Sequence, residues 1–283
     1  AAVDAGERAP DALPADEWAP DVAPAPASFK EKGDRARRWQ AHLQSFAKTP
    51  PVSLAGPLRT VAQDLRYAND RLGEAESGRC FGRAKAKAGF LTPMLFYLAA
   101  AARAHAAVLR ARGTRFPSLV VPLPVNLRPK GAEGAIFRTR VSMLWFQLRP
   151  EQLESLDGAV AALKAQRHAL IKENAVENGV AAMDFARLAP MRVYSHMARR
   201  QFGGELCSFF FAWTGEFAPG VRELCGAPVL GGFHAPSVPA SPGSGAILSC
   251  RDGRINAVHV HQRGALDEGE LAQIGRASWR ERV

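Results

Sequence analysis

Cysteine is scarce in this chain, and long apolar runs are missing. The four cysteines lie far apart and none forms a CxxC pair, which argues against zinc knuckles and thioredoxin-like redox sites. The most apolar stretch, 94–109, contains Arg103 and His105 and is shorter than the roughly 20 apolar residues that a bilayer-spanning helix needs. No leader-like segment opens the chain. These absences predict a cytoplasmic chain with free thiols and no transmembrane segment.

Several motifs of well-known enzyme classes are also missing. The chain has no GxSxG, GxGxxG or GxxxxGK[ST] pattern, so hydrolase, dinucleotide and P-loop chemistry have no support. Helix-turn-helix, zinc and RNP signatures are missing too, which argues against nucleic acid as a partner. His259 and His261 lie two apart on a predicted strand and could hold a metal only with a third ligand, such as His234 or Asp267. A solvated strand face is the favoured interpretation of the pair, and we predict no metal.

The composition is that of a folded globular protein. The chain has 283 residues, of which 47% are hydrophobic and 23% charged, enough to bury a core without disulfides. Its net charge of +10 favours anionic partners such as phosphates, nucleic acid, acidic carrier proteins or anionic membranes. Residues 1–33 are rich in Ala and Pro and contain many acids, which predicts a disordered linker. Residues 34–273 are expected to form one lobe, and 274–283 resemble translated sequencing adapter, a non-native tail.

Hydrophobic periodicity predicts an α/β fold, a two-layer sandwich in which helices pack on a mixed β-sheet. The best-marked helix opens with Thr92 and Pro93 and closes at Gly113. A long strand over 137–148 has Val141, Met143 and Trp145 on one side, and Asp252-Gly253 marks a hairpin. Further helices are predicted over 34–48, 58–72, 150–170, 180–188, 192–202 and from Asp267, and further strands over 118–125, 206–213, 228–233, 246–250 and 255–261.

Two clusters of side chains are candidates for binding. Aromatic residues over 209–217 would pack in the core of an ordinary protein, or would line a tunnel for an acyl or aromatic substrate. The basic residues Arg79, Arg83, Lys85 and Lys87 would form a solvated face, or would bind the phosphates of coenzyme A or of a phosphopantetheine arm. The sequence leaves both pairs of alternatives open.

One family is similar to this chain over about residues 34–273. A buried helix opened by Thr92-Pro93, followed by the strand VPLPVNLRP over 121–129, resembles the C-terminal lobe of the coenzyme A-dependent acyltransferase superfamily. The closing segment agrees, since PASPG over 239–243, AILS over 246–249 and DGRI over 252–255 resemble the final hairpin of that lobe. The superfamily includes peptide-synthetase condensation domains, wax ester synthase/diacylglycerol acyltransferases, alcohol acetyltransferases and chloramphenicol acetyltransferase.

The resemblance implies a catalytic HHxxxDG motif in an N-terminal lobe, where the second His is the general base. None of the seven histidines here is followed four residues later by Asp; those positions hold Phe46, Leu109, Lys172, Arg200, Val238, Arg263 and Ala265. We therefore expect no catalytic residue in this chain. Either a catalytic N-terminal lobe is encoded upstream of Ala1, which is the favoured expectation, or the protein is a non-catalytic relative of the family. The expected partners are that missing lobe and, as a further candidate, an acyl carrier protein.

The resemblance also assigns expected roles to particular residues. Asn126 and Arg128 would be structural residues at the contact between lobes, and Phe211, Trp213, Thr214 and Gly215 would line the substrate tunnel. The expected activity is transfer of an acyl group from a thioester, on coenzyme A or an acyl carrier protein, to a hydroxyl or amine. No tightly bound cofactor is expected. The alternative is a non-catalytic basic module that binds nucleic acid or an acidic protein.

Overall fold

A computed structural model describes residues 28–55, 64–128, 141–200, 202–218, 220–239 and 241–275, and of residues 199 and 200 it describes the backbone only. Within these ranges the chain forms seven α-helices and eight strands. The helices are α1 (Phe29–Phe46), α2 (Glu74–Ala88), α3 (Pro93–Ala111), α4 (Leu156–Lys172), α5 (Ala175–Ala186), α6 (Met191–Arg200) and α7 (Glu268–Gly275). The strands are β1 (Leu65–Arg71), β2 (Leu119–Asn126), β3 (Val141–Leu148), β4 (Phe210–Glu216), β5 (Glu223–Leu224), β6 (Ala227–Pro228), β7 (Ser244–Arg251) and β8 (Arg254–Gln262).

The main sheet is mixed and has the strand order β1-β8-β7-β4. Its pairs are antiparallel except β4 and β7, which are parallel. Strands β2 and β3 form a separate antiparallel hairpin. Ser208 joins the hairpin to the main sheet, because its N–H donates to the Val120 carbonyl at 2.7 Å and its Oγ accepts from the Val120 N–H at 3.0 Å. The predicted α/β class with a mixed sheet is confirmed.

Helix α3 forms the centre of the core. Its side chains from Leu95 to Ala102 are all buried, because apolar residues surround the helix on every side. It contacts α2, α4 and α7 and packs on the sheet. Gly113, with φ +68°, follows its end, and the Thr114 N–H bonds the Leu109 carbonyl. Thr92 precedes the helix without capping it: its hydroxyl donates to the Ala88 carbonyl at 2.5 Å, which ties α3 to the end of α2.

A second apolar cluster covers the other side of the β2–β3 hairpin. Successive strand residues face opposite sides, so Val121 joins the main core while Val120 packs with Leu43 and Phe46 of α1. Helix α1 begins at Phe29, with Ser28 Oγ accepting from the Glu31 N–H. It therefore starts five residues before the predicted Asp34, inside the segment expected to be a linker, of which 1–27 lie outside the described residues.

The sequence prediction is wrong for three of the strand regions. Residues 65–71 form an edge strand paired with β8, not the end of a helix over 58–72. In β3 the buried side holds Ser142, Leu144, Phe146 and Leu148, whereas Val141 and Met143 are exposed, so the apolar alternation indicated the wrong face. The predicted strand over 228–233 is instead a two-residue pairing of β5 with β6, followed by an irregular segment.

The hairpin and the helix start that the sequence predicted near the end of the chain are both present in the structure. Asp252 and Gly253 both have positive φ in the β7–β8 turn, as expected of a two-residue hairpin. Asp267 accepts from the Glu270 N–H at 2.8 Å and caps α7. Ile274, placed in the predicted non-native tail, is buried at the end of α7, and residues 276–283 lie outside the described residues. In the described part of the chain, no single helix is both long and apolar enough to cross a membrane.

Candidate functional site

The aromatic strand β4 ends in a bulge that exposes its last residues. Trp213 pairs with Leu248 and Glu216 pairs with Cys250, so β4 holds one more residue than β7 between those pairs. Gly215, with φ +75°, provides the left-handed conformation there. Thr214 is exposed, and its hydroxyl donates to the Leu248 carbonyl at 3.1 Å. The bulge therefore leaves one strand end open to solvent.

Trp213 lies on a shelf built from two helices. Its indole stacks on Tyr97 of α3, with ring centroids 4.7 Å apart and an interplanar angle of 11°, and meets Phe81 of α2 edge-on at 6.4 Å. Trp213 is half-buried, while Phe211 behind it is buried in the main core. We call Trp213, Tyr97 and Phe81 the aromatic shelf. Sequence reasoning placed Trp213 but missed Tyr97 and Phe81, which lie within helical stretches without a motif of their own.

The groups around the shelf stay neutral near pH 7. Burial raises the pKa of the Tyr97 phenol far above its usual value. Burial also raises the pKa of Cys80 and of Cys250 to about 11, so neither thiol is ionised. The shelf therefore offers an apolar wall, and none of these three groups is an activated nucleophile.

The four predicted basic residues lie on α2 but point to two sides of it. Arg79, Arg83 and Lys87 follow one another at one-turn spacing, and Lys87 pairs with Asp157 of α4. Lys85 instead follows Phe81 by one turn and shares its side of the helix. Its ammonium lies 5.8 Å from the centre of the exposed Phe90 ring. Of the four, Lys85 is therefore the one on the same side of α2 as the aromatic shelf.

Asn126 and Arg128 lie where the described part of β2 ends. The Asn126 side-chain oxygen accepts from the Arg128 N–H at 3.1 Å, which forms a local turn. Arg128 is half-buried, and no carboxylate of the described residues pairs with it. The segment that follows, 129–140, lies outside those residues. The predicted role of this pair between lobes stays a prediction.

The histidines predicted for a solvated strand face are buried. His259 and His261 are 3% and 8% exposed, so the expectation of a solvated face is wrong: their side of β8, shared with Ile255 and Ala257, faces the main core. His105 of α3 is also buried, stacks on Phe209 at 3.9 Å and bonds the Ala101 carbonyl through Nδ1. Burial lowers the pKa of His105 and of His259 to about 4. In the described ranges no three metal-binding side chains come together.

Comparison with solved structures gives the clearest relationship. No protein-family model and no curated protein sequence matches the chain. The trichothecene 15-O-acetyltransferase TRI3 of Fusarium sporotrichioides matches 89% of this chain with a TM-score of 0.63 at 14% identity, over 52% of its own length. This chain has the fold of acyltransferases and condensation domains. The resemblance found in the sequence is thereby confirmed at the level of the fold.

Peptide-synthetase domains share the same fold. The EpoB cyclization-docking bidomain of Sorangium cellulosum matches 89% of this chain at 17% identity, with a TM-score of 0.55 and 50% of its own length covered. The first condensation domain of the CDA synthetase matches 93% at 14% identity, with a TM-score of 0.52 and 52% covered. The chain therefore spans about half the length of these structures.

Proposed function

We propose that this chain forms the C-terminal lobe of an acyltransferase that moves an acyl group from a thioester to a hydroxyl or amine. The likeness in fold to an O-acetyltransferase and to condensation domains, over about nine-tenths of the chain, carries the proposal. Coenzyme A or an acyl carrier protein would bear the acyl group. The cytoplasm is the proposed location, which suits the four free cysteines.

In this proposal the general base comes from the other half of the fold, with which this lobe would form one site. A base of that kind contributes roughly 10²–10⁴-fold to the rate. His105 and His259 of this lobe are unsuited to that role, because both are buried in the core. The partner lobe would supply the base, and this lobe would supply binding surface.

The aromatic shelf would be the wall that this lobe contributes. Trp213 presents a half-buried aromatic surface against which an acyl chain or a pantetheine arm can pack. The Thr214 hydroxyl already donates to the Leu248 carbonyl, so its oxygen remains an acceptor for an amide N–H of pantetheine. Lys85 would pair with a phosphate of the donor. Arg79 and Arg83 are the further predicted phosphate ligands.

The experiment is to sequence the gene upstream of the Ala1 codon and to express the full-length product. We expect an HHxxxDG motif there, and release of free coenzyme A thiol from acyl-coenzyme A when alcohols or amines are supplied. Residues 1–283 alone should release none above the uncatalysed rate. Transfer by the isolated chain would contradict the proposal. The basic binding module would be favoured instead if the full-length protein lacks the motif, transfers no acyl group, and binds nucleic acid or an acidic protein.

A further inference from the structure

Helix α6 is amphipathic, yet its apolar side is open to solvent. Met191 and Met197 are 74% and 63% exposed, and none of the side chains from Met191 to Ala198 is buried. Leu188, just before the helix, is 82% exposed. At 3.6 residues per turn Met191, Tyr194 and Met197 fall on one side of the helix. This group, with Leu188 and Val193, is called the apolar arc.

The opposite side of α6 is basic and has no acid. Arg192 lies on that side, with His196 beside it by helical position. The sequence adds Arg199 and Arg200 at the end of the same helix. From Leu188 to Arg200 the sequence contains no Asp or Glu. The two sides together give a short cationic helix with an apolar arc, the pattern of helices that lie in a membrane–water interface.

We propose that α6 docks the protein on an anionic lipid surface. The apolar arc would enter the boundary between headgroups and acyl chains, while the arginines reach the lipid phosphates along their own stems. Charge complementarity selects this occupant, because an acid-free basic side next to an exposed apolar arc suits an anionic headgroup layer. The chain as a whole carries +10, which draws it to the same surface.

This inference stands apart from the proposed acyl transfer. It uses the exposed side chains of α6 and no residue of the aromatic shelf. A short helix with a few apolar side chains binds lipid reversibly, so binding should require anionic headgroups and should weaken as salt screens the charges.

The test is co-sedimentation of the purified 283-residue chain with vesicles. One set contains phosphatidylcholine alone, and in the other phosphatidylglycerol replaces about a third of it. We expect binding to the anionic set only. Because the whole chain is basic, a charge-neutral variant is needed: Met191→Gln/Met197→Gln should weaken binding about tenfold, since it removes apolar contact without changing charge. Arg192→Gln/Arg199→Gln should weaken it by about tenfold or more.

Matched controls separate docking through α6 from general attraction. Leu224→Gln/Leu230→Gln removes two similarly exposed apolar side chains elsewhere, and Lys164→Gln/Lys172→Gln removes two charges from α4. Both controls should bind like the unmodified chain. No binding to anionic vesicles would overturn the proposal, as would equal losses in the α6 variants and their controls. A concentration-dependent dimer abolished by Met191→Gln/Met197→Gln, with no vesicle binding, would assign the arc to a second copy. If the 283-residue chain binds anionic vesicles and the full-length protein does not, the apolar arc would be assigned to a contact inside the full-length protein, and the proposal would be overturned.

Discussion

The indole of Trp213 stacks face to face on the ring of Tyr97, and this pair joins the open end of β4 to the central helix α3. One face of the Trp213 indole packs on Tyr97, and the side chain as a whole is only half-buried. That arrangement suits a residue that both stabilises the lobe and offers a surface to a ligand.

Replacing Trp213 tests both its contribution to stability and its role as a surface for a ligand. We expect Trp213→Ala to lower the free energy of unfolding by about 2–3 kcal/mol, less than a fully buried Trp costs, because part of the ring is already in water. Trp213→Phe should keep most of the stability, since it preserves stacking on Tyr97. Urea unfolding of the isolated chain measures both. In the full-length enzyme the Ala variant should change which acyl or acceptor group is used; a large loss of stability with unchanged preference would contradict a tunnel wall.

Lys85 is expected to bind the donor. In the full-length enzyme Lys85→Gln should raise the KM for acyl-coenzyme A about three- to tenfold and leave kcat nearly unchanged, because an exposed charge pair contributes modestly to binding. An acyl-pantetheine that lacks the nucleotide phosphates should show no such difference. Lys164→Gln, on the exposed side of α4, is the control. An equal effect on both donors would contradict a phosphate contact.

The buried histidines should make the lobe sensitive to acid. His105 and His259 have a folded-state pKa of about 4 against 6.5 when exposed, so the unfolded chain takes up protons first. Stability is therefore full above about pH 7, falls as the pH drops from 6.5 towards 4, and levels off below that. Each histidine contributes on the order of 3 kcal/mol to the fall.

Urea unfolding across that pH range measures the loss. His105→Phe keeps a ring against Phe209 and should reduce the fall in the free energy of unfolding between pH 6.5 and pH 4, which is called the acid limb. The exposed His168→Gln should leave it unchanged. An identical acid limb in His105→Phe would show that this imidazole is not the source.

Arg112 ties α7 to the end of α3. Its guanidinium donates to both oxygens of Glu270 and to the carbonyls of Leu54 and Ala265, each of the latter at 2.7 Å. Arg112→Ala should lower the free energy of unfolding by about 2–3 kcal/mol, because three partners lose a charged donor. Arg37→Ala breaks an exposed pair with Asp34 and should cost under about 1 kcal/mol. Thermal unfolding compares them, and equal costs would contradict a special role for Arg112.

Replacement by alanine should have opposite effects on stability at two helical glycines. A Cβ at Gly179 of α5 would lie 2.8 Å from Ser142 Oγ, which already bonds the Val176 carbonyl at 3.1 Å. Gly179→Ala should cost about 1–3 kcal/mol by displacing that hydroxyl. At Gly82 of α2 a Cβ meets open space, so Gly82→Ala should stabilise the chain by about 0.5–1 kcal/mol. If both variants were stabilised, the packing of α5 on β3 at Gly179 would have to be looser than the 2.8 Å contact indicates.

Local sequence patterns predicted the elements whose signals are local. The buried helix α3 was identified by its apolar residues and by Gly113, and the β7–β8 hairpin by Asp252-Gly253. Strand β1 was missed because its stabilising partner is distant: Leu65 pairs with Gln262 across most of the chain. No short window contains that information.

The candidate site was predicted only in part for the same reason. Trp213 and Gly215 stand out within one strand, whereas the shelf also needs Tyr97 and Phe81 from two helices. The spacing of His259 and His261 correctly put them on one face of a strand. It could not tell which face is covered, because coverage depends on the helices that pack there.

The two hydrogen bonds between Ser208 and Val120 have a consequence for how the lobe opens. They connect the hairpin, which carries α1 and α5, to a sheet whose core lies around α3. Because Val121 and Phe146 of the hairpin also belong to the main core around α3, the hairpin cannot leave the sheet while that core stays intact, and the two should open as one cooperative unit. Backbone amides of β2 and β3 should therefore exchange with deuterium at a free energy close to that of β7 and β8.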